Sequence, residues 1–376
     1  MTDYPKTARM LIYLLACAVN EKECRIPPAE IDFDGLYLLA KNHAVCSAVA
    51  FALESAGIND RRFSQAKLKA KRKLGLFDVE RRRIYERLSE REIWYLPLKG
   101  IVLKDAYPKY GMREMSDNDI LCDSAKMFEV REVMESLGYT CVHFNKWNHD
   151  VYQKPPTLEF EMHHSLFMTG DMPALDSYYA NVFDRLKHVD GYEYAFSDED
   201  FYIYMVAHIY KHFSQNGTGL RSLLDIYVYL QTHQALDFTY MEREFEKLGI
   251  LSFEQRCRRL AHNVFDLQRL NEEDGRLLSL FLNSSLYGSD RQREYNSITR
   301  QLDGDDTKRA KAKYFIDRVF LHGNDLEKFY PFFARHRWLL PVLYVYRPIK
   351  GLLTHPKWII RDSKNVMKYR SPKDKF

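Results

Sequence analysis

Residues 94–167 constrain the fold of this chain more than any other stretch. The stretch opens with a short apolar run that ends at Lys99-Gly100, which predicts a strand followed by a turn. Residues 116–121 then give a strand signal, in which Asp117 and Asp119 are two positions apart, and the second strand is predicted at residues 118–122. Because successive side chains of a strand alternate between its two faces, both carboxylates are expected on the same face.

A second acidic pair, Glu159 and Glu161, lies in the next strongly β-like run with the same spacing. Carboxylates that converge from neighbouring strands provide the hard oxygen ligands that suit Mg²⁺ carrying nucleotide phosphates. Both glutamates are expected on one face, so spacing alone leaves open which of them completes the site. A solvated face of the sheet is the alternative for the pair. The pattern predicts a Mg²⁺ site, with Mn²⁺ as an alternative ion.

Three motifs give this stretch a family resemblance: LKG at 98–100, YPKYGMREMSDNDILCD at 107–123 and FEMHHSL at 160–166. They resemble those of an uncharacterised bacterial family of polymerase-β-like nucleotidyltransferases. The resemblance implies a glycine turn that holds the triphosphate, an Asp-x-Asp metal pair and a third carboxylate from a later strand. These features match Gly100, the pair Asp117 and Asp119, and Glu161. The turn departs from the family pattern, since Lys99-Gly100-Ile101 has one small residue where two are usual.

The resemblance extends to a later helix, on which such enzymes place a basic and an acidic residue against the nucleotide. Arg221 and Asp225 match these positions and share one helix face. Together with Lys99, Gly100 and the loop residue Arg113, they are the predicted nucleotide-binding residues. An ordinary strand–helix turn at Gly100 and a surface salt bridge between Arg221 and Asp225 are the alternatives.

The histidines of the sequence do not predict a zinc site. His163 and His164 are adjacent on a strand, so they face opposite ways and cannot both join one site. His163 is expected near the acidic face. His208 and His212 share a helix face, but no HExxH motif accompanies them, and packed histidines are the favoured interpretation.

The expected fold class is α+β, with a polymerase-β-like nucleotidyltransferase core embedded in helical regions. That core is a small mixed sheet with flanking helices. The predicted divisions of the 376 residues are an N-terminal helical region 1–92, a core 93–167, a helical region 168–300 that packs on the core, and a helical, basic, aromatic-rich segment 301–376. Residues 33–56 are predicted as one helix. Residues 61–91 are predicted as another, with an apolar stripe formed by Leu68, Leu76, Val79, Ile84 and Leu88.

Charge is unevenly distributed along a chain whose net charge is only +4. Residues 60–92 contain 12 Lys/Arg and 6 Asp/Glu, and residues 345–376 contain 9 and 2. Such basic segments suit an anionic partner, RNA or a lipid surface, although solvated helix faces are the favoured interpretation.

The sequence favours a cytoplasmic location. The six cysteines show no metal-ligand spacing and predict free thiols in a reducing compartment. Residues 10–19 resemble the apolar part of a signal peptide, but an amphipathic first helix is favoured. The other long apolar stretch, 338–353, is interrupted by prolines and charges, which argues against a membrane span.

These observations predict a bacterial, Mg²⁺-dependent nucleotidyltransferase. It would transfer a nucleoside monophosphate from an NTP to an unknown acceptor, which could be RNA, protein, peptide or a small molecule, and release pyrophosphate. One alternative is a catalytically inactive fold that acts as an RNA- or protein-binding module, for which the unusual turn leaves room. Another is a peripheral membrane-surface protein in envelope or polysaccharide assembly. Metal-dependent nucleotide binding would favour the enzyme, and sedimentation with anionic liposomes would favour the last alternative.

Overall fold

A mixed sheet organises residues 95–196. Its strands are Tyr95–Pro97 (β1), Asn118–Cys122 (β2), Thr140–His143 (β3), His149–Lys154 (β4), Leu158–His163 (β5), Leu186–Asp190 (β6) and Glu193–Phe196 (β7). In the computed structural model, which describes residues 4–168, 170, 172–285, 307–320, 326, 330–354 and 356–367, they form one seven-stranded sheet in the order β3-β4-β5-β2-β1-β7-β6. β2 is antiparallel to β1 and parallel to β5, and it lies in the middle of the sheet.

The sheet extends beyond the predicted core. β6 and β7 form a hairpin within the region 168–300, and β7 pairs in parallel with β1 through Tyr95 and Glu193. The prediction that this region is helical throughout was wrong for these residues. The hairpin turns at Gly191, which has φ +52°; β6 is mostly exposed and β7 is mostly half-buried. They therefore lack the apolar face by which a strand is recognised in a sequence.

Helices account for most of the remaining described residues up to 285. They are Lys6–Val19 (α1), Phe33–Asn42 (α2), Cys46–Ser55 (α3), Arg61–Glu90 (α4), Gly100–Leu103 (α5), Met127–Ser136 (α6), Pro173–Tyr178 (α7), Asp198–Gln215 (α8), Leu220–Thr232 (α9), Phe238–Lys247 (α10), Leu251–Phe265 (α11) and Glu272–Asn283 (α12). The six cysteines are free thiols, as the sequence predicts.

The long helix α4 packs one face against the sheet. Its N-cap Asp60 accepts hydrogen bonds from the backbone N–H groups of Arg62 and Phe63, which explains where the helix begins. The residues that α4 contributes to the apolar core beside the sheet are Leu74, Phe77, Ile84 and Leu88. The predicted stripe is thus right for its last two members and wrong for Leu68, Leu76 and Val79, which are exposed.

Arg81 explains why the stripe was misassigned. It lies in line with the buried residues of α4 at helical spacing and is itself buried. Its guanidinium hydrogen-bonds Asp78 and the Asn118 side chain of β2. A charged residue therefore occupies a core position of α4. Through Asn118 it contacts the face of β2 opposite the one that bears Asp119.

The predicted helix 33–56 is divided into α2 and α3 at His43, Ala44 and Val45, where Ala44 has φ +51°. His43 is fully buried, and its Nδ1 accepts a hydrogen bond from the backbone N–H of Leu220 at 3.2 Å. This bond ties the break between the two helices to the first residue of α9. Burial lowers the pKa of His43 to about 4.

We expect the stability of the protein to fall in acid partly because of His43. The unfolded chain takes up a proton on this side chain below pH ~6.5, whereas the folded protein does not do so until about pH 4, so stability present above ~6.5 is lost as the pH falls. The loss attributable to His43 at pH 4 is about 3 kcal/mol. Urea unfolding at several pH values should show a weaker acid dependence in His43→Asn, whose amide oxygen can accept the same hydrogen bond. Equal dependence in both proteins would contradict this assignment.

The chain divides into two compact units, residues 1–211 with 219–286 and residues 212–218 with 287–376. Helices described in the second unit are Thr307–Val319 (α13), Pro331–Arg335 (α14), Leu340–Thr354 (α15) and Pro356–Met367 (α16). Within it, the buried Tyr314 hydroxyl donates to Asp362 Oδ1 at 2.8 Å. These helices lie within segment 301–376, for which helices were predicted, while the predicted boundary between residues 300 and 301 lies outside the described residues. In the part of the chain that the structure describes, no helix has both the length and the apolar character needed to cross a membrane.

Candidate active site

Asp119 and Glu161 lie side by side on adjacent strands. β2 and β5 are parallel, and their register pairs Asp119 directly with Glu161. Asp119 is buried, with 3% of its surface exposed. Asp117 lies one residue before β2, where its Oδ1 accepts a hydrogen bond from Ser116 Oγ at 2.9 Å. The structure therefore places the three predicted carboxylates in one region of the sheet.

Lys99 and His163 both contact Asp119. Lys99 Nζ is 2.6 Å and His163 Nε2 is 3.0 Å from the same carboxylate oxygen, Oδ1. Burial alone would raise the pKa of Asp119, but Lys99 and His163 hold it well below its ordinary value. Burial would lower the pKa of Lys99, but the charge of Asp119, with smaller contributions from Glu161 and Asp117, raises it. The pair is therefore an ionised carboxylate and an ammonium group.

Glu161 lies between two imidazoles. Its Oε2 is 3.5 Å from His163 Nε2, and its Oε1 is 3.6 Å from His149 Nε2. Burial raises the pKa of Glu161, and the nearby charge of Asp119 contributes to the rise. Burial lowers the pKa of His149 to about 3, and the charge of Lys99 contributes to the fall, so this imidazole is neutral at physiological pH.

The other candidate, Glu159, has different neighbours. It is paired with Gln153 in the register of β4 and β5, and the Gln153 side-chain amide donates to its carboxylate. Glu161 instead adjoins Asp119. The geometry thus favours Glu161 over Glu159 as the carboxylate that would act with Asp119.

The turn before α5 differs from the one that the sequence predicts. The residue with the left-handed backbone is Lys99, at φ +46° and ψ −117°, and not Gly100. Such a conformation in a residue other than glycine costs about 1–3 kcal/mol and is typical of functional sites. α5 has four residues, and the N–H groups of Ile101 and Val102 already donate to the carbonyls of Leu98 and Lys99. These two amides are therefore not available to a phosphate in this conformation.

Position 100 must be glycine because the neighbouring side chains leave no space for a Cβ atom. A Cβ atom at this position would lie 2.6 Å from Arg113 Nη1 and 2.9 Å from the Sδ and Cε atoms of Met115. We expect Gly100→Ala to destabilise the protein by about 1–3 kcal/mol, because Arg113 is held in place by an ion pair and cannot move aside freely. Urea unfolding measures the change. Gly75→Ala, within α4, is the matched control. A Cβ there would have the Tyr110 hydroxyl as its nearest neighbour, at 3.6 Å, so the substitution should stabilise the helix by about 0.5–1 kcal/mol. Equal effects of the two substitutions would contradict the crowding.

Arg113 and Asp225 form a buried, two-pronged ion pair. Arg113 Nε and Nη2 donate to the two carboxylate oxygens of Asp225 at 2.8 and 3.0 Å, and the Tyr107 hydroxyl donates to Asp225 Oδ1 at 2.7 Å. Arg221, the predicted partner of Asp225, instead donates to the backbone carbonyl of Glu114 at 3.2 Å. The surface salt bridge considered as an alternative for Arg221 and Asp225 is replaced by a buried pair that joins α9 to the loop before β2.

Lys73 was not singled out from the sequence. Its Nζ donates to the Ser116 carbonyl at 2.6 Å, and the charges of Asp117 and Glu159 act on its pKa, which burial lowers. α4 thus places a lysine beside the first aspartate of the pair. The sequence signal was present in the basic run 60–92, but helical periodicity does not reveal which lysine faces the sheet.

His149 and Asn148 were also missed. The register of β4 and β5 places His149 opposite His163, and the ring centroids are 4.9 Å apart. His164, on the other face, contacts the Trp147 carbonyl, as the alternation of strand side chains predicts. The available signal was the β-like run that begins at His149, which follows a loop and precedes the strand of Glu161.

The residues present fit a divalent cation such as Mg²⁺. Asp117, Asp119 and Glu161 offer the hard carboxylate oxygens that Mg²⁺ prefers. Asp119 and Glu161 stand on neighbouring parallel strands, and the buried Asp119 already attracts the ammonium of Lys99, which shows that this position stabilises positive charge. The donor set is thus compatible with the metal that the motif implies.

Comparisons with known proteins give one match. A family model described as an uncharacterised nucleotidyltransferase matches residues 29–266, which include the entire sheet and the helices α2–α11. Searches of curated proteins and of solved structures found no match for this chain. The match spans more than half of the sequence and contains Asp117, Asp119, Glu161 and Asp225.

Proposed function

This chain belongs to the uncharacterised nucleotidyltransferase family, and we propose that it transfers a nucleoside monophosphate from an NTP to an acceptor hydroxyl or phosphate in a Mg²⁺-dependent reaction. Pyrophosphate is the other product. The observation that most supports the proposal is the pairing of Asp119 with Glu161 across β2 and β5, with Asp117 next to them. Such a reaction is catalysed mainly by positioning and by neutralising charge, which matches a site made of carboxylates and cations.

In this proposal each charged group has a role. Asp117, Asp119 and Glu161 would hold Mg²⁺, which when bound would neutralise charge on the phosphates and orient them for in-line attack. Lys99 lies beside Asp119, and Lys73 lies beside the loop of Asp117, so both can bind phosphate oxygens. The pair of Arg113 and Asp225 positions the loop that leads into β2.

The inactive-module alternative is less well supported by the electrostatics. Carboxylates placed side by side repel each other, and burial of Asp119 adds a desolvation cost. A protein that only binds a partner gains nothing from this arrangement, whereas a metal-dependent transferase needs it. The unusual turn at Lys99 bears on phosphate contacts and leaves the carboxylates unaffected.

Calorimetry of nucleotide binding tests the proposal. ATP, GTP, CTP and UTP are each titrated into the wild-type protein and into Asp117→Ala/Asp119→Ala, with Mg²⁺ and with EDTA. We expect at least one NTP to bind with Mg²⁺ and to lose most of its affinity in EDTA and in the double variant. The preferred NTP, labelled, then serves to search cell extract for the acceptor.

The matched control is Glu132→Ala/Glu135→Ala, which removes two negative charges from the exposed face of α6. It should bind the preferred NTP as the wild type does. If well-folded wild type binds no NTP under any of these conditions, or if the control loses binding as the site variant does, the proposal fails.

A further inference from the structure

The environment of His149 is not explained by the proposed transfer reaction. His149 Nε2 lies 3.6 Å from Glu161 Oε1, and His149, Glu161 and His163 present ligand atoms that all lie within 4.8 Å of one another. His149 and Glu161 come from the neighbouring antiparallel strands β4 and β5. Whether the two side chains attract or repel each other depends on which nitrogen of His149 has the proton.

The amide of Asn148 is oriented by the backbone. Its Nδ2 donates to the Ser165 carbonyl at 3.1 Å, and a carbonyl oxygen can only accept. The orientation of the amide is therefore fixed, and Oδ1 is the atom that faces His149 Nδ1 at 3.3 Å. Because this oxygen can only accept, His149 Nδ1 must hold the proton.

Because Asn148 assigns the proton to Nδ1, Nε2 is the nitrogen of His149 that can offer a lone pair to a ligand, and it faces Glu161 Oε1. Two acceptors facing each other at 3.6 Å repel unless a proton or a metal cation lies between them. Around a metal ion with bonds of ~2.1 Å, neighbouring ligand atoms are about 3.0–3.4 Å apart, which is close to the observed separation. A hydrogen bond from the other ring nitrogen to a fixed acceptor is the usual way in which a protein orients a metal-binding imidazole.

The side-chain amide of Asn148 also determines which nitrogen of His163 holds the proton. Asn148 Nδ2 also approaches His163 Nδ1 at 3.3 Å, and an amide nitrogen can only donate, so Nδ1 of His163 accepts. Its proton is then on Nε2, which donates to Asp119 Oδ1. His163 is therefore a hydrogen-bond donor to the carboxylates, and it has no lone pair on Nε2 to offer a metal.

We propose that His149 Nε2 and Glu161 bind a divalent transition-metal ion, of the Mn²⁺, Co²⁺ or Zn²⁺ class, in preference to Mg²⁺. Imidazole nitrogen is a good ligand for transition metals, whereas Mg²⁺ selects oxygen and water. A site with one neutral imidazole and one carboxylate leaves further positions for water or phosphate oxygens. This inference deepens the proposed function, because Glu161 belongs to both, and it assigns the metal at Glu161 a nitrogen ligand.

Pulsed EPR of Mn²⁺ bound to the protein without nucleotide tests the nitrogen ligand directly. We expect the spectrum of the wild type to show modulation from one coordinated imidazole nitrogen, and Mn²⁺ to bind at least about tenfold more tightly than Mg²⁺ in a competition titration. His149→Gln should lose the nitrogen modulation and weaken Mn²⁺ binding at least about tenfold. His149→Asp, which restores an oxygen ligand, should bind metal but lose most of the preference for Mn²⁺.

His164→Gln is the matched control, since this histidine next to His163 lies on the face opposite Glu161 and contacts the Trp147 carbonyl. It should leave the spectrum and the Mn²⁺ affinity unchanged. The wild-type spectrum is decisive even if a variant fails to fold: absence of nitrogen modulation, or modulation from two nitrogens, overturns the assignment. Unchanged modulation in a folded His149→Gln protein does so as well.

The two proposals fail separately. If Mg²⁺-dependent NTP binding is observed but bound Mn²⁺ shows no nitrogen ligand, only the assignment of His149 is wrong. If Mn²⁺ shows the nitrogen ligand but no NTP binds, the metal site stands and the transfer reaction is rejected.

Discussion

Asp119→Asn should reduce nucleotidyl transfer by about a thousandfold or more, which corresponds to about 4 kcal/mol in the activation barrier. The substitution removes the one buried carboxylate that adjoins Glu161 and contacts Lys99. The asparagine oxygen can still accept hydrogen bonds from Lys99 and His163, so the fold should persist while the negative charge is lost. Pyrophosphate release from the preferred NTP, with cell extract as the source of acceptor, measures the rate.

Glu159→Gln is the control for this experiment. Glu159 lies on the same strand as Glu161 but is bound by Gln153 and does not adjoin Asp119. Its substitution should leave the rate within about threefold of the wild type, a loss below ~1 kcal/mol. Retention of the wild-type rate by folded Asp119→Asn, verified by circular dichroism, would refute the role of this carboxylate.

Asp225→Ala should destabilise the protein by about 3–5 kcal/mol, because it leaves the buried guanidinium of Arg113 without its counterion. The side chains of Arg113 and Asp225 are only 7% and 8% exposed. The variant also removes the acceptor of the Tyr107 hydroxyl. Urea denaturation followed by circular dichroism gives the free energy of unfolding.

Two controls separate a buried charge from other causes. Glu135→Ala breaks the exposed pair of Arg131 and Glu135 on α6 and should change the stability far less. Arg113→Met/Asp225→Leu removes both charges and should recover most of the stability lost in Asp225→Ala, since no charge is then left unpaired. If the double variant is as unstable as Asp225→Ala, the loss comes from packing and not from the unpaired charge.

Local pattern was sufficient for some elements. The strand β2 was predicted with the bounds Asn118–Cys122 that the structure gives, because a run of apolar residues with an i, i+2 acidic pair has only one face that can hold the carboxylates. The helix α4 was also predicted nearly to its ends, since Asp60 is a strong N-cap. The same local pattern failed for the stripe of α4, in which the charged Arg81 occupies a buried position.

The sequence analysis singled out Gly100 correctly, but the structure requires glycine there for a different physical reason. The sequence indicated a turn in which glycine supplies backbone freedom, but the left-handed residue is Lys99. Gly100 instead lacks a side chain because Arg113 and Met115 fill the space. Only the tertiary packing of the loop before β2 reveals this requirement.

The sequence by itself predicted a shared face for Asp117 and Asp119, since alternation along a strand depends only on neighbouring residues. Only the tertiary structure decided what they face. The register of β2 with β5 selected Glu161, the register of β4 with β5 brought in His149, and packing of α9 joined Asp225 to Arg113 across 112 residues. These pairings depend on how separate elements align, and a one-residue shift in register would change every one of the strand contacts.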